Sequence, residues 1–272
     1  MSISTRYNLQ SLPPDADAAQ AMRGAERLAE AVAKTESDPL RRFFTDAIDD
    51  ETGQRIFSAL FGNSPFLESC LIRDLPYARI LLAEGPDAAI AATRAMLATL
   101  ADPATTTDGL AVGLRRAKRQ VALAVALADI AGLWPLATIT RTLSEFCDTA
   151  LDRTVGHLLR QTAKSGAVRL RTPETPTRDS GLFVLGMGKL GAHELNYSSD
   201  IDLIVLYDDE RVVTDAPDEL QRAFVRLTRA FVKTIEERTA EGYVFRTDLR
   251  LRPDPGATPV ALSTMAAALY YE

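Results

Sequence analysis

The sequence predicts an α+β chain, mainly helical over residues 1–166, with a small mixed-sheet domain over residues 167–272. Three observations lead there. Alanine- and leucine-rich stretches with 3.6-type spacing run to about Lys164. Residues 168–181, VRLRTPETPTRDSG, hold two prolines and many small polar residues, the composition of a linker. Beyond them the apolar spacing shortens to period 2 over Ile201–Tyr207 and Tyr243–Arg252.

In the helical region, Met22, Ala25, Leu28, Ala29 and Val32 mark the first apolar stripe. Breaks are expected at Asp38-Pro39, Gly62-Asn63-Ser64-Pro65, Gly85-Pro86 and Asp102-Pro103. Asp108 suits the N-cap of a helix carrying Leu110, Leu114, Val121 and Leu127. Ile139, Leu143, Phe146, Ala150 and Leu151 stripe a long helix that reaches about Lys164 and closes at Gly166. The pattern implies a helical bundle or array without strands and without a repeat of fixed period. Trp134, Cys70 and Cys147 are expected in the core. Arg115, Arg116, Lys118 and Arg119 are either a site for phosphate or an acidic partner, or a solvated helix face, the commoner fate of such clusters.

The second part reads β-turn-β-α-β. Leu182–Leu185 is a short apolar run followed by glycines. Ile201–Tyr207 is rich in β-formers. Pro217–Arg238 is a helix striped by Leu220, Phe224, Leu227, Phe231 and Ile235, with Asp215 and Pro217 at its start. Tyr243–Arg252 alternates as a strand.

Composition bounds the function. At 46% hydrophobic and 25% charged residues the chain is ordinarily globular, not disordered. Thirty-one Lys and Arg against 37 Asp and Glu give 31 − 37 = −6, a poor balance for coating nucleic acid. Two cysteines and two histidines exclude a disulfide framework, a zinc site and a histidine-rich metal site. The N-terminus lacks the apolar core of a secretory signal, and the longest apolar run, Val121–Ala128, is far short of a membrane span. The expectation is a soluble, cytoplasmic protein with no nucleic-acid and no membrane partner.

The run Gly186-Met187-Gly188-Lys189-Leu190-Gly191 admits three phosphate readings. A P-loop fails, because Met187 stands where its lysine belongs and Lys189 is followed by Leu190. A dinucleotide fingerprint matches Gly186, Gly188 and Gly191 letter for letter, with Asp208 near the position of a ribose-binding acid. However, only Ala192 to Asp200 separate Gly191 from the next strand, too few residues for a parallel crossover, so no NAD is expected. The third reading is a nucleotidyltransferase site, in which a glycine turn presents N–H groups to phosphate. Asp200 and Asp202 then share a strand face, about 6.6 Å apart. Such a pair can converge on magnesium, which prefers hard oxygen ligands. On the third strand Arg246, Asp248, Arg250 and Arg252 alternate onto one face. Asp248 can complete a carboxylate triad, and Arg250 and Arg252 can hold phosphate oxygens. The same residues also suit an exposed strand of salt bridges with Asp200 and Asp202.

The stretches GMGKLGAHELNYSSDID (Gly186–Asp202) and RTDLRLRP (Arg246–Pro253) closely resemble the bacterial bifunctional glutamine synthetase adenylyltransferase/adenylyl-removing enzymes, of the polymerase-β-like nucleotidyltransferase superfamily. Ser64-Pro65-Phe66-Leu67, Leu114-Arg115-Arg116 and Tyr270-Tyr271-Glu272 also look like that family. The resemblance implies two related catalytic units in one long chain: one removes AMP from a tyrosine of glutamine synthetase by phosphorolysis, the other attaches AMP from ATP. The PII signal protein and glutamine would set the direction. The motif's distance from Met1 and the wording Glu194–Ser199 resemble the amino-terminal, adenylyl-removing copy, cut short at Glu272. The attaching unit, or a non-catalytic nucleotide-binding domain, are the alternatives. Carried over residue by residue, the family's metal-binding carboxylates fall on Asp200, Asp202 and Asp248, with Mg2+ as cofactor. Gly188, Lys189, Ser199, Arg250 and Arg252 are the matching candidates for nucleotide and phosphate. ADP or ATP and inorganic phosphate are the implied small partners. The broader superfamily carries Gly-Gly or Gly-Ser at its turn; Lys189 after Gly188 is shared only with the narrower family. His193 is expected as a turn residue.

Overall fold

The structure, a computed structural model, describes residue 3 and residues 6–272. The predicted α+β class is what it shows: helices α1 to α8 fill the chain to Lys164, and a four-stranded mixed sheet begins at Leu182. Two compact units are present. The first comprises residues up to Met96 with Ala117–Thr142, the second Leu97–Arg116 with Leu143–Glu272. Helices α7 (Thr107–Ile130) and α8 (Leu136–Lys164) therefore each contribute to both. No helix among the described residues is long and apolar enough to cross a membrane.

The first unit is helical. Asp17 caps α1 (Ala18–Lys34), its carboxylate accepting from the Gln20 N–H at 2.8 Å. The expected stripe of α1 is rotated: Ala21, Gly24, Leu28 and Val32 are buried, whereas Met22 is 66% exposed. Gly24 explains the rotation. A Cβ there would lie 2.7 Å from the Phe61 ring of α3 (Glu51–Phe61), so the two helices touch where only glycine fits. Helices α2 (Asp38–Asp49), α4 (Pro65–Arg73), α5 (Leu75–Glu84) and α6 (Pro86–Thr99) follow, three of the starts falling at the expected prolines. Glu68, buried on α4, is held by Arg27 at 2.5 and 2.7 Å, which satisfies a carboxylate that would otherwise be costly to bury. Cys70 is buried as expected.

In the second unit α7 starts one residue before the expected cap. The Thr106 hydroxyl, not Asp108, accepts from the Gly109 N–H at 3.0 Å, and Asp108 lies in the first turn. Arg115 follows neither sequence reading. It is 2% exposed, and its guanidinium donates to the main-chain carbonyls of Gly242 at 2.9 Å, Glu237 at 2.6 Å and Thr234 at 3.4 Å. Ile139, Leu143, Phe146, Cys147, Ala150 and Leu151 of α8 are buried, but Trp134, expected in the core, is only half-buried.

Strands β1 (Leu182–Gly186) and β2 (Ile201–Tyr207) pair antiparallel, from Leu182 opposite Tyr207 to Gly186 opposite Leu203. A dinucleotide-binding βαβ unit needs parallel strands here, so this register removes that reading. From β2 the chain crosses over through α10 (Leu220–Glu236) to β3 (Thr247–Asp248), parallel to β2. β4 (Leu262–Ser263) pairs, also parallel, with the far end of β2 and leads into α11 (Thr264–Tyr271). Ile201, Leu203, Val205 and Tyr207 are buried on one sheet face, and the predicted α10 stripe is buried; the Phe224 ring packs tilted against Tyr207, centroids 4.9 Å apart. The strand expected over Tyr243–Arg252 is cut to two residues. Asp248 Oδ1 accepts from the Arg250 N–H at 2.8 Å and closes a turn just where alternation was to continue.

Candidate functional site

The site is built at the start of β2. The chain leaves β1 at Gly186, and the Met187 N–H donates to Asp202 O at 2.8 Å, pinning the glycine turn to the new strand. Gly188 has φ +53, the left-handed region glycine enters without strain. A Cβ at Gly188 would stand 2.8 Å from Asp202 Oδ2. The turn backbone and the Asp202 carboxylate are thus neighbours, and any side chain at position 188 would have to displace that carboxylate. A single helical turn, α9 (Gly188–Gly191), buries Leu190 and leaves Lys189 exposed.

The loop into β2 is braced by its own side chains. Ser199 Oγ donates to Asn196 Oδ1 at 2.7 Å and accepts from the Asn196 N–H at 3.2 Å. The Ser198 N–H donates to Asn196 Oδ1 at 3.3 Å. Ser199 is therefore engaged in shaping the loop that delivers Asp200.

Register brings the carboxylates together. Ile201 pairs with Thr247 and Asp202 with Asp248, so Asp202 and Asp248 stand side by side and Arg246 lies beside Asp200. β3 is fixed from below by Glu236, whose Oε1 accepts from Thr247 N–H at 2.6 Å and Thr247 Oγ1 at 2.8 Å. Two of the three carboxylates have a cation. Arg246 Nε donates to Asp200 Oδ1, and Arg246 Nη2 to Ser198 O at 2.8 Å. Arg250 Nε lies 3.0 and 2.9 Å from the two Asp248 oxygens, with Nη2 at 2.6 Å from Oδ2. The Arg250 hydrogen bonds hold the Asp248 carboxyl below the usual range. The Arg246 and Arg250 guanidinium pKa values are raised, chiefly by their bonds to Asp200 and Asp248.

Of the sequence-predicted residues, Asp200, Asp202, Asp248, Gly188 and Arg250 share one corner of the sheet. Arg252 does not join them. Its guanidinium donates to Leu249 O at 2.7 Å, to Pro255 O at 2.7 Å and to Thr258 O at 3.4 Å, stapling the loop after β3. His193, with φ +57, is a turn residue; its neighbour Asp148 on α8 is raised by burial, partly offset by the His193 charge. The Arg246–Asp200 pair is the salt bridge that the alternative reading of this strand expected. The parallel register that places Asp202 beside Asp248 also places Arg246 beside Asp200.

Among the described residues no group of three or more His, Cys, Asp or Glu side chains is arranged as a metal cage. The donor chemistry nevertheless fits a hard divalent cation. Asp202 and Asp248 are register partners on adjoining strands, Asp200 stands two residues before Asp202, and the arginines that hold Asp200 and Asp248 are exposed. The arrangement can gather a dication and phosphate oxygens at one spot.

A family model described as Glutamate-ammonia ligase adenylyltransferase matches residues 54–272. The chain is 52% identical over 159 residues, 58% of its length, to a bifunctional glutamine synthetase adenylyltransferase/adenylyl-removing enzyme of Rhizobium meliloti (strain 1021), covering 16% of that protein. It is 47% identical over 214 residues, 77% of its length, to the enzyme of that name from Rhodopseudomonas palustris (strain HaA2), covering 21% of it. It thus spans about a fifth or less of the curated relatives it matches.

Proposed function

Because the chain belongs to the glutamate-ammonia ligase adenylyltransferase family, we propose that residues 167–272 form its adenylyl-removing catalytic domain, acting in the cytoplasm on glutamine synthetase. The observation that carries this is the juxtaposition of Asp200, Asp202 and Asp248 beside the Gly188 turn. The copy is read from the wording Glu194–Ser199. Control by a PII signal protein and by glutamine is proposed for the longer family protein.

The reaction is phosphorolysis. An oxygen of inorganic phosphate attacks the AMP phosphorus, the bond from phosphorus to the tyrosine oxygen breaks, and that oxygen takes up a proton. The products are ADP and unmodified tyrosine. The nucleophile is already an anion, so no strong general base is needed. The obstacle is the approach of two anionic groups. Magnesium held by Asp200, Asp202 and Asp248 would supply the positive charge that offsets it. Arg250 would orient phosphate in line, and the exposed Lys189 would meet it at the turn.

The deciding measurement is phosphate-dependent release of ADP from adenylylated glutamine synthetase by this chain. Asp202→Asn and Asp200→Asn each keep side-chain size and remove a charge. Each is expected to lower the rate on the order of a thousandfold or more, about 4 kcal/mol of transition-state stabilisation, with the circular dichroism unchanged. Wild-type rates in both variants would reduce the Asp-x-Asp to a structural feature.

A further inference from the structure

Two of the carboxylates read above as metal ligands are held by arginines from the segment that carries the third. Arg246 reaches Asp200 Oδ1 through Nε while its Nη2 bonds Ser198 O; Arg250 grips both oxygens of Asp248. Register produces the first pair, and the turn closing at Arg250 produces the second. Both arginines are exposed, at 55% and 83%, so solvent and anions reach each guanidinium. The Arg246–Asp200 pair is exposed on both sides, 55% and 56%, and such pairs contribute little net stability. The bidentate Arg250–Asp248 pair, with Asp248 at 20%, is the firmer of the two. Asp202, between them, is bordered by the Gly188 backbone.

Resting on the metal-site reading above, we propose that Arg246 and Arg250 are exchangeable counter-ions: each yields its aspartate to a divalent cation and turns its guanidinium to a phosphate oxygen of the nucleotide or of inorganic phosphate. The two arginines thereby offset the repulsion among the carboxylates when metal is scarce, and become phosphate-positioning residues once it arrives. Metal and phosphate then favour each other's binding, and by linkage the coupling is reciprocal. Arg246 gains a role here that its place before Asp248 alone does not imply. Its bond to Ser198 O also ties the loop delivering Asp200, so releasing Asp200 leaves the guanidinium anchored near the site.

The signature is a pair of opposite effects. Mn2+ is the probe, its free concentration read by electron paramagnetic resonance on the 272-residue chain. Arg246→Gln and Arg250→Gln are each expected to tighten Mn2+ binding roughly two- to fivefold. With saturating Mn2+, the same variants are expected to weaken ADP binding, read calorimetrically, by roughly tenfold. Lys189→Gln removes a nearby positive charge that pairs with no carboxylate named here, and is expected to move Mn2+ affinity less than twofold. Unchanged or weaker Mn2+ binding in both arginine variants, while Asp202→Asn abolishes it, would overturn the exchange and leave the metal site standing. An equal gain in Lys189→Gln would overturn it too, reducing the effect to a general field. Wild-type Mn2+ affinity in Asp202→Asn would remove the metal-site reading itself, and the exchange with it. If Arg246→Gln fails to fold by circular dichroism, Arg250→Gln, whose partner lies within its own turn, carries the test alone.

Discussion

Gly188 shows what a single residue decides. A methyl group there meets the Asp202 carboxylate at 2.8 Å, and φ +53 adds the cost of a left-handed backbone, about 1–2 kcal/mol. Gly188→Ala is expected to lose Mn2+ binding and ADP release by more than tenfold, with a melting temperature a few degrees lower and an unchanged far-ultraviolet spectrum. Wild-type Mn2+ affinity in that variant would mean the carboxylate has room to move aside. At this scale the spacing of Asp200 and Asp202 was legible because side chains two apart on a strand share a face. Which arginine pairs with Asp200 was not, because that depends on which strands pair and in what register. Arg252 misled for a related reason. Counting by two presumes that the strand runs on, and the Asp248 side chain ends it at Arg250.

Among the elements, α7 and α8 meet at a histidine. His157 Nε2 lies 2.8 Å from Gln161 Nε2 and 3.0 Å from Thr107 Oγ1, and Gln161 Nε2 also donates to Thr107 Oγ1 at 2.8 Å. The glutamine amide nitrogen can only donate, a contact that suits the accepting nitrogen of a neutral imidazole. Burial lowers its pKa, and the charges of Arg160 and Lys164 lower it further. The sign follows by linkage. The unfolded chain protonates His157 near pH 6.5 while the folded chain does not, so folding loses stability as pH falls from about 6.5 toward the depressed folded value. His157→Gln should flatten that part of the curve of melting temperature against pH; an unchanged slope would show that the stability loss comes from other groups. Long helices were legible here because five or more turns of 3.6 periodicity leave little ambiguity. Their exact faces and caps were less so. Close approach of Phe61 at Gly24, which local sequence does not specify, turned the α1 stripe; the cap moved within its own turn, from Asp108 to the Thr106 hydroxyl.

For the molecule as a whole, the sequence carried the class and the chain order of strands, turn and crossover helix, since each rests on local pattern. Its share of a longer family protein leads to the remaining prediction. In a full-length relative bearing both activities, the change equivalent to Asp202→Asn should abolish removal of AMP and leave attachment largely intact, measured on the two forms of glutamine synthetase. Loss of attachment with removal intact would assign this chain to the other copy. Arg115 has a consequence of another kind. Its carbonyl partner at Gly242 is 127 residues downstream. On a ribosome adding about 5–20 residues per second, the guanidinium waits roughly 6–25 seconds for that partner to be made. Until then the cation has no acceptor there and stays in water, so this part of α7 closes over its core only after the last residues of the crossover have left the tunnel. The order of synthesis thus delays the burial of an early residue until a late one arrives.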